Sequence, residues 1–101
     1  MDKILTIEEI RELTVPVVKQ FPVKQLILYG SYARNQATPE SDIDLLVDSN
    51  DNLLGWGLCK LISALSDILP KPFHCYEQSM ILTNPNLVKN IEREGIILYE
   101  A

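Results

Sequence analysis

Gly30-Ser31-Tyr32-Ala33-Arg34-Asn35-Gln36-Ala37-Thr38-Pro39-Glu40-Ser41-Asp42-Ile43-Asp44-Leu45-Leu46-Val47-Asp48 joins two apolar, strand-forming runs through a polar loop. The runs are Val23 to Tyr29 and Asp42 to Val47, and the loop between them contains Gly, Ser, Asn, Thr and Pro. Residues two apart on a strand share a face. At ~3.3 Å rise per residue, Asp42 and Asp44 therefore stand ~6.6 Å apart along the strand with both carboxylates on one side. Ile43 and Leu45 point the other way, into a core that orients the pair. Two hard-oxygen groups at that separation suit one or two Mg²⁺ ions, which prefer carboxylate and phosphate oxygens.

Gly30 and Ser31 follow directly on the first strand, where glycine allows a phosphate to come near the main chain. A short helix starting near Tyr32 would turn its N–H groups and positive end toward that anion. The Ser31 hydroxyl and Arg34 are further candidates for triphosphate oxygens. Ser41 completes the candidate nucleotide-binding set of Gly30, Ser31, Arg34 and Ser41, although a serine there also starts a strand by bonding its own backbone. The stretch reads as an anion site facing a metal site, with a nucleoside triphosphate between them presenting its α-phosphorus to an acceptor hydroxyl.

Outward from this stretch, punctuation divides the chain into short elements of alternating type. Thr6-Ile7-Glu8-Glu9 has the form of a capping box and opens a helix from about Ile7 to Gln20, with Pro16 expected to kink or end it. Leu54, Leu58, Leu61, Ile62, Leu65 and Leu69 recur at helical spacing within Leu53 to Leu69, which Pro70 ends. Phe73 to Tyr76 reads as a third strand. Asn84-Pro85 caps a helix that Gly95 stops, and Ile96 to Tyr99 forms a last strand. The order α-β-β-α-β-α-β predicts an α/β (α+β) fold, a small sheet with helices packed against it.

Composition narrows the function. With 9 Lys and Arg against 14 Asp and Glu, the net charge of −5 opposes direct binding of nucleic acid, whose affinity comes from basic residues neutralising phosphates. No apolar run approaches the ~20 residues of a membrane span. The start of the chain, Met1 to Glu9, lacks the apolar stretch of a signal peptide, so a cytoplasmic protein is expected. Cys59 and Cys75 have no C-x-x-C spacing and read as buried reduced thiols. At 47% hydrophobic residues, residues 1–101 read as one domain, with no room for a separate substrate domain.

Gly30-Ser31, ten further residues and Asp42-x-Asp44 resemble the signature of the DNA-polymerase-β-like nucleotidyltransferases. Gly30-Ser31-Tyr32-Ala33-Arg34 with Ser41-Asp42-Ile43-Asp44-Leu45-Leu46-Val47 is most similar to the minimal nucleotidyltransferase (MNT) branch, as is the closing Glu94-Gly95-Ile96-Ile97-Leu98-Tyr99-Glu100. The resemblance implies the antitoxin of a HEPN–MNT toxin–antitoxin pair. In such a pair the small enzyme uses ATP and Mg²⁺ to transfer AMP to a tyrosine of its HEPN ribonuclease partner. It also implies catalytic roles for Asp42 and Asp44 as metal ligands.

One position departs from the family. A third acidic residue usually stands on the strand after the long helix, and the matching position here is His74. Histidine can act as a base near neutral pH but is a poor Mg²⁺ ligand. Asp48 lies ~13 Å along the strand from Asp44, too far to substitute, and Glu77 faces the other side of a regular strand. Three readings therefore follow. The first is an active adenylyltransferase with Asp42, Asp44 and His74 as catalytic residues. The second is an antitoxin of weakened or lost catalysis that neutralises its toxin by binding. The third is a small-molecule nucleotidyltransferase of the aminoglycoside-modifying kind, which the short chain disfavours.

Overall fold

The computed structural model describes residues 4–53 and 55–101. Its elements run α1 (Ile7–Val18), β1 (Gln25–Tyr29), β2 (Ile43–Asp48), α2 (Trp56–Ile68), β3 (Phe73–Glu77), a 3₁₀ helix (Gln78–Ile81), α3 (Pro85–Glu94) and β4 (Ile96–Glu100). The α-β-β-α-β-α-β order expected from the sequence is present, with the 3₁₀ helix added. The four strands form one mixed sheet in the order β3-β2-β1-β4. β1 runs antiparallel to both β2 and β4, and β2 runs parallel to β3.

Local chemistry explains the boundaries. The Glu9 amide donates to Thr6 Oγ1 at 3.0 Å and the Thr6 amide to Glu9 Oε1 at 2.9 Å, the reciprocal capping box that starts α1. Pro16 lies inside α1, which continues only to Val18 rather than Gln20. α2 starts at Trp56, three residues later than Leu53, behind Gly55 at a φ of 78°. Leu54, one of the periodic residues, lies outside the described residues, as do Met1 to Lys3. Asn84 Oδ1 accepts from the Leu87 amide at 3.2 Å and Pro85 begins α3.

The strand alternation sorts the side chains. Leu26, Leu28, Ile43, Leu45, Val47 and Cys75 enter the main core beneath α1 and α2. Tyr29 and Leu46 face the opposite side, where Ile81 of the 3₁₀ helix and Ile91 of α3 cover them. α3 reaches the sheet closely through Gly95, where a Cβ would stand 2.9 Å from Ile27 Cγ2. Asp44 and His74 share this second face.

Cys75 is buried as expected, whereas Cys59 is exposed, a correction that follows from its place on the outer side of α2. Trp56 is also on the surface, at 82% exposure. No helix among the described residues is long and apolar enough to cross a membrane.

Candidate active site

The site begins with two strands that share a register. Tyr29 on β1 opposes Asp44 on β2, and Asp44 in turn lies beside His74 on the parallel strand β3. Ile43 and Leu45, flanking Asp44, are both 0% exposed, so core packing fixes the backbone that carries the carboxylate. Asp42 sits one residue before β2 rather than within it. It still reaches the same site, since its Oδ2 is 3.2 Å from Nε2 of His74.

Gly30 brings the loop to the aspartates. Its φ is +78°, and a Cβ there would overlap Asp44 Oδ2 and stand 3.1 Å from Asp44 Cγ. Only glycine combines that backbone with that approach. Beyond it, Ser31 to Asn35 form a single helical turn, in which Gly30 O accepts from the Arg34 amide at 3.1 Å and Ser31 O from the Gln36 amide at 2.9 Å. The short helix expected near Tyr32 is thus one turn only, closed by Asn35 at a φ of 59°. Tyr32 itself drops into the main core at 3% exposure.

The other candidates divide. Arg34 is held by Glu94 at the end of α3 (3.4 Å) and by Gln36 Oε1 (3.2 Å), and its charge acts on Asp44. Glu94 thus serves as the ion-pair partner of Arg34. Ser41 Oγ accepts from the Thr38 amide at 2.9 Å and meets Thr38 Oγ1 at 3.3 Å, so its side chain is engaged in shaping the loop before Asp42. Asp48 caps the Asn50 amide at 3.0 Å, away from the aspartate pair. Glu77 is 1% exposed and accepts from the Ser49 amide at 3.0 Å and from the Ser49 hydroxyl. Neither acid substitutes at the position held by His74.

Electrostatics match this crowding. Burial foremost pushes the Asp44 carboxyl above its ordinary range, with the nearby Asp42 charge adding, while His74 and Arg34 pull it back down. Tyr29, buried beside Asp44, is pushed up to about 12, by burial first and Asp44 next. A site where a carboxylate resists ionisation beside a second carboxylate is one that a cation would stabilise. Among the described residues no three His, Cys, Asp or Glu side chains gather into a metal-holding group. Two carboxylates nonetheless fit Mg²⁺, which keeps several waters and completes its shell with substrate phosphates rather than with an all-protein cage.

The sequence pattern of the nucleotidyltransferase domain family matches residues 8–98. The chain belongs to that family. This nucleotidyltransferase is 34% identical over 97 residues, 92% of its length and 98% of its relative's, to a provisionally named protein adenylyltransferase of Methanocaldococcus jannaschii. It is 40% identical over 48 residues, 44% of its own length and 48% of the relative's, to the protein adenylyltransferase MntA of Thermococcus cleftensis. Its fold is shared with a chain of a toxin–antitoxin crystal structure containing AMP-PNP, with a TM-score of 0.73 at 18% identity over 90% of this chain and 73% of that one. A complex of a tri-AMPylated HEPN toxin of Shewanella oneidensis with MNT antitoxin gives a TM-score of 0.66 at 17% identity, covering 90% and 70%.

Two residues of the nucleotidyltransferase's site escaped the sequence. Lys71 is 7% exposed and its Nζ donates to the Pro39 carbonyl at 2.7 Å, tying the loop that leads to Asp42 to the start of β3. A lysine between Pro70 and Pro72 reads as ordinary exposed loop, and no local pattern marks a partner 32 residues away. Tyr76 joins the aspartate face because it stands two residues from His74 on β3; strand alternation alone places it there.

Proposed function

We propose that this chain is a single MNT domain that transfers AMP from ATP to a tyrosine hydroxyl of a HEPN-family toxin and so acts as its antitoxin. The observation that carries the reading is the close approach of Gly30 to Asp44, which sets an open backbone loop directly against one carboxylate, with the Asp42 charge acting on it. Relatives named as protein adenylyltransferases and the shared fold of toxin–antitoxin complexes support it.

In this reading the Ser31 hydroxyl and the loop amides hold the β- and γ-phosphates, with Arg34 adding positive charge from the side. Asp42 and Asp44 would hold Mg²⁺, which supplies charge neutralisation at the phosphates. The acceptor oxygen bonds to the α-phosphorus and pyrophosphate leaves. Buried Ile43 and Leu45 keep Asp44 in place during that exchange, and Lys71 keeps the Asp42 loop in place. Rigid positioning of this kind is the main protein contribution to phosphoryl-group transfer.

A second reading has its own observation. His74 occupies the position beside Asp44 on β3 and is bonded to Asp42, so the described site holds two carboxylates and a histidine. An antitoxin with slow transfer that neutralises its partner by binding fits that composition. Incubating the protein with Mg²⁺, α-labelled ATP and a HEPN protein encoded beside it separates the two. Label on the partner's tyrosine supports transfer. Binding and inhibition without label support the second reading.

A further inference from the structure

Strand order fixes the side from which an acceptor reaches the aspartates. Gly30 and Ser31 close β1, on one side of β2, whereas His74 and Tyr76 stand on β3, on the other. A triphosphate whose β- and γ-phosphates lie in the Gly30–Ser31 loop has its leaving group on the β1 side. Displacement at phosphorus places attacking and leaving oxygens roughly in line. The attacking hydroxyl therefore arrives over β3.

What it meets there is aromatic. Asp44 registers with His74 and Leu46 with Tyr76, and the two rings face the same side of the sheet as Asp44. The His74 side chain is 51% exposed and Tyr76 is 38% exposed. Their rings are parallel, with an interplanar angle of 0° and centroids 6.4 Å apart. Tyr76 stands two residues from His74 on β3, in register with Leu46, two residues from Asp44 on β2. The His74 ring is held at its Nε2 by Asp42 Oδ2, 3.2 Å away, and both rings are left exposed at the acceptor's entrance.

We propose that His74 and Tyr76 form a docking platform for the acceptor side chain, one that favours the aromatic hydroxyl of tyrosine over the aliphatic hydroxyls of serine and threonine. The proposal rests on the adenylyl-transfer reading for the chemistry and on the ring pair for the recognition. A ring stacked on this platform or meeting it edge-on gains a quadrupole interaction that an aliphatic side chain does not. Transfer from this position forms the bond between the phenolic oxygen and the α-phosphorus. It breaks the bond from that phosphorus to the bridging oxygen, which leaves with its electron pair on pyrophosphate, while the phenolic proton passes to water. His74 and Tyr76 are positioning residues here.

His74 is the sole histidine of the sequence, so its ring protons are identified directly in a one-dimensional NMR spectrum. Titration with N-acetyltyrosinamide at fixed pH is expected to move them upfield by ring current, and N-acetylserinamide is expected to leave them in place. Tyr76→Leu should weaken the tyrosinamide response about three- to tenfold, and Tyr76→Phe should retain it. An unmoved His74 spectrum, or equal binding by Tyr76→Leu, overturns the platform. So does an upfield shift produced by ATP instead and abolished in Tyr76→Leu, which makes the pair a nucleotide-base site. A tyrosinamide response that persists when no protein is labelled sustains the platform and removes adenylyl transfer instead.

Discussion

The Asp44 carboxylate lies where a side chain on Gly30 would have to be. A residue with a Cβ at position 30 meets both a left-handed backbone and an occupied space, so the loop and the metal-ligand candidate are built as one unit. Gly30→Ala should cost ~1–2 kcal/mol from the backbone alone. It should also displace Asp44 and reduce nucleotide binding more than any other single change in the loop. Thermal unfolding together with calorimetric titration of ATP and Mg²⁺ checks both effects; a variant with wild-type ATP affinity would separate Gly30 from the site.

Lys71 is expected to act on the site from outside it. Lys71→Met keeps the aliphatic stem but leaves the Pro39 carbonyl without its charged donor, a loss of about 1.5–3 kcal/mol for a bond of this class. The expected result is a lower melting temperature and a reduced transfer rate, because the Thr38–Ser41 loop that leads to Asp42 loses its anchor. Unchanged transfer in a destabilised variant would confine Lys71 to folding.

Glu77 makes a contrasting case, a buried acid one turn of pleat beyond the site face. Glu77→Ala strands the Ser49 amide and hydroxyl, which should cost ~1–3 kcal/mol and lower the melting temperature by several degrees. Equilibrium urea unfolding measures the loss directly. A change of less than about 0.5 kcal/mol would mean that water replaces the carboxylate at Ser49.

The two cysteines should behave differently. Burial foremost, and then the charge of Glu77, pushes the Cys75 thiol up to about 12 from 9.0, while Cys59 is exposed. Native protein should therefore take up alkylating reagent at Cys59 alone, and denatured protein at both. Because the folded form holds the Cys75 proton more tightly, its contribution to stability is complete below about pH 9 and is lost as pH rises toward 12. Cys75→Ala should flatten that alkaline decline, and urea midpoints measured across the same range show whether it does.

Much of this arrangement is legible in the sequence. The alternation at Asp42-Ile43-Asp44-Leu45 placed both aspartates on one face, and cap chemistry at Thr6, Asn84 and Pro85 placed two helix starts. Elements with weak local cues are less legible. α2 starts late because Gly55 breaks the periodic run at a positive φ, and the turn after Ser31 stops because Asn35 takes a left-handed backbone. Periodicity could not tell that Cys59 lies outside, since helical spacing gives a face but not its angular width. The ties that complete the site, Lys71 to Pro39 and His74 to Asp42, each span 32 residues and depend on the parallel pairing of β2 with β3. No local pattern encodes them.

In the proposed reaction Asp42 and Asp44, set against the Gly30–Ser31 loop, carry transfer of AMP to a protein tyrosine. It is tested by intact-mass and peptide mass spectrometry of a HEPN-type protein encoded beside this chain, after incubation with ATP and Mg²⁺. One sample contains the wild-type chain and the other the double variant Asp42→Asn, Asp44→Asn. Adenylylated tyrosine with the wild type and none with the double variant is the predicted result. Equal modification by both proteins would contradict it.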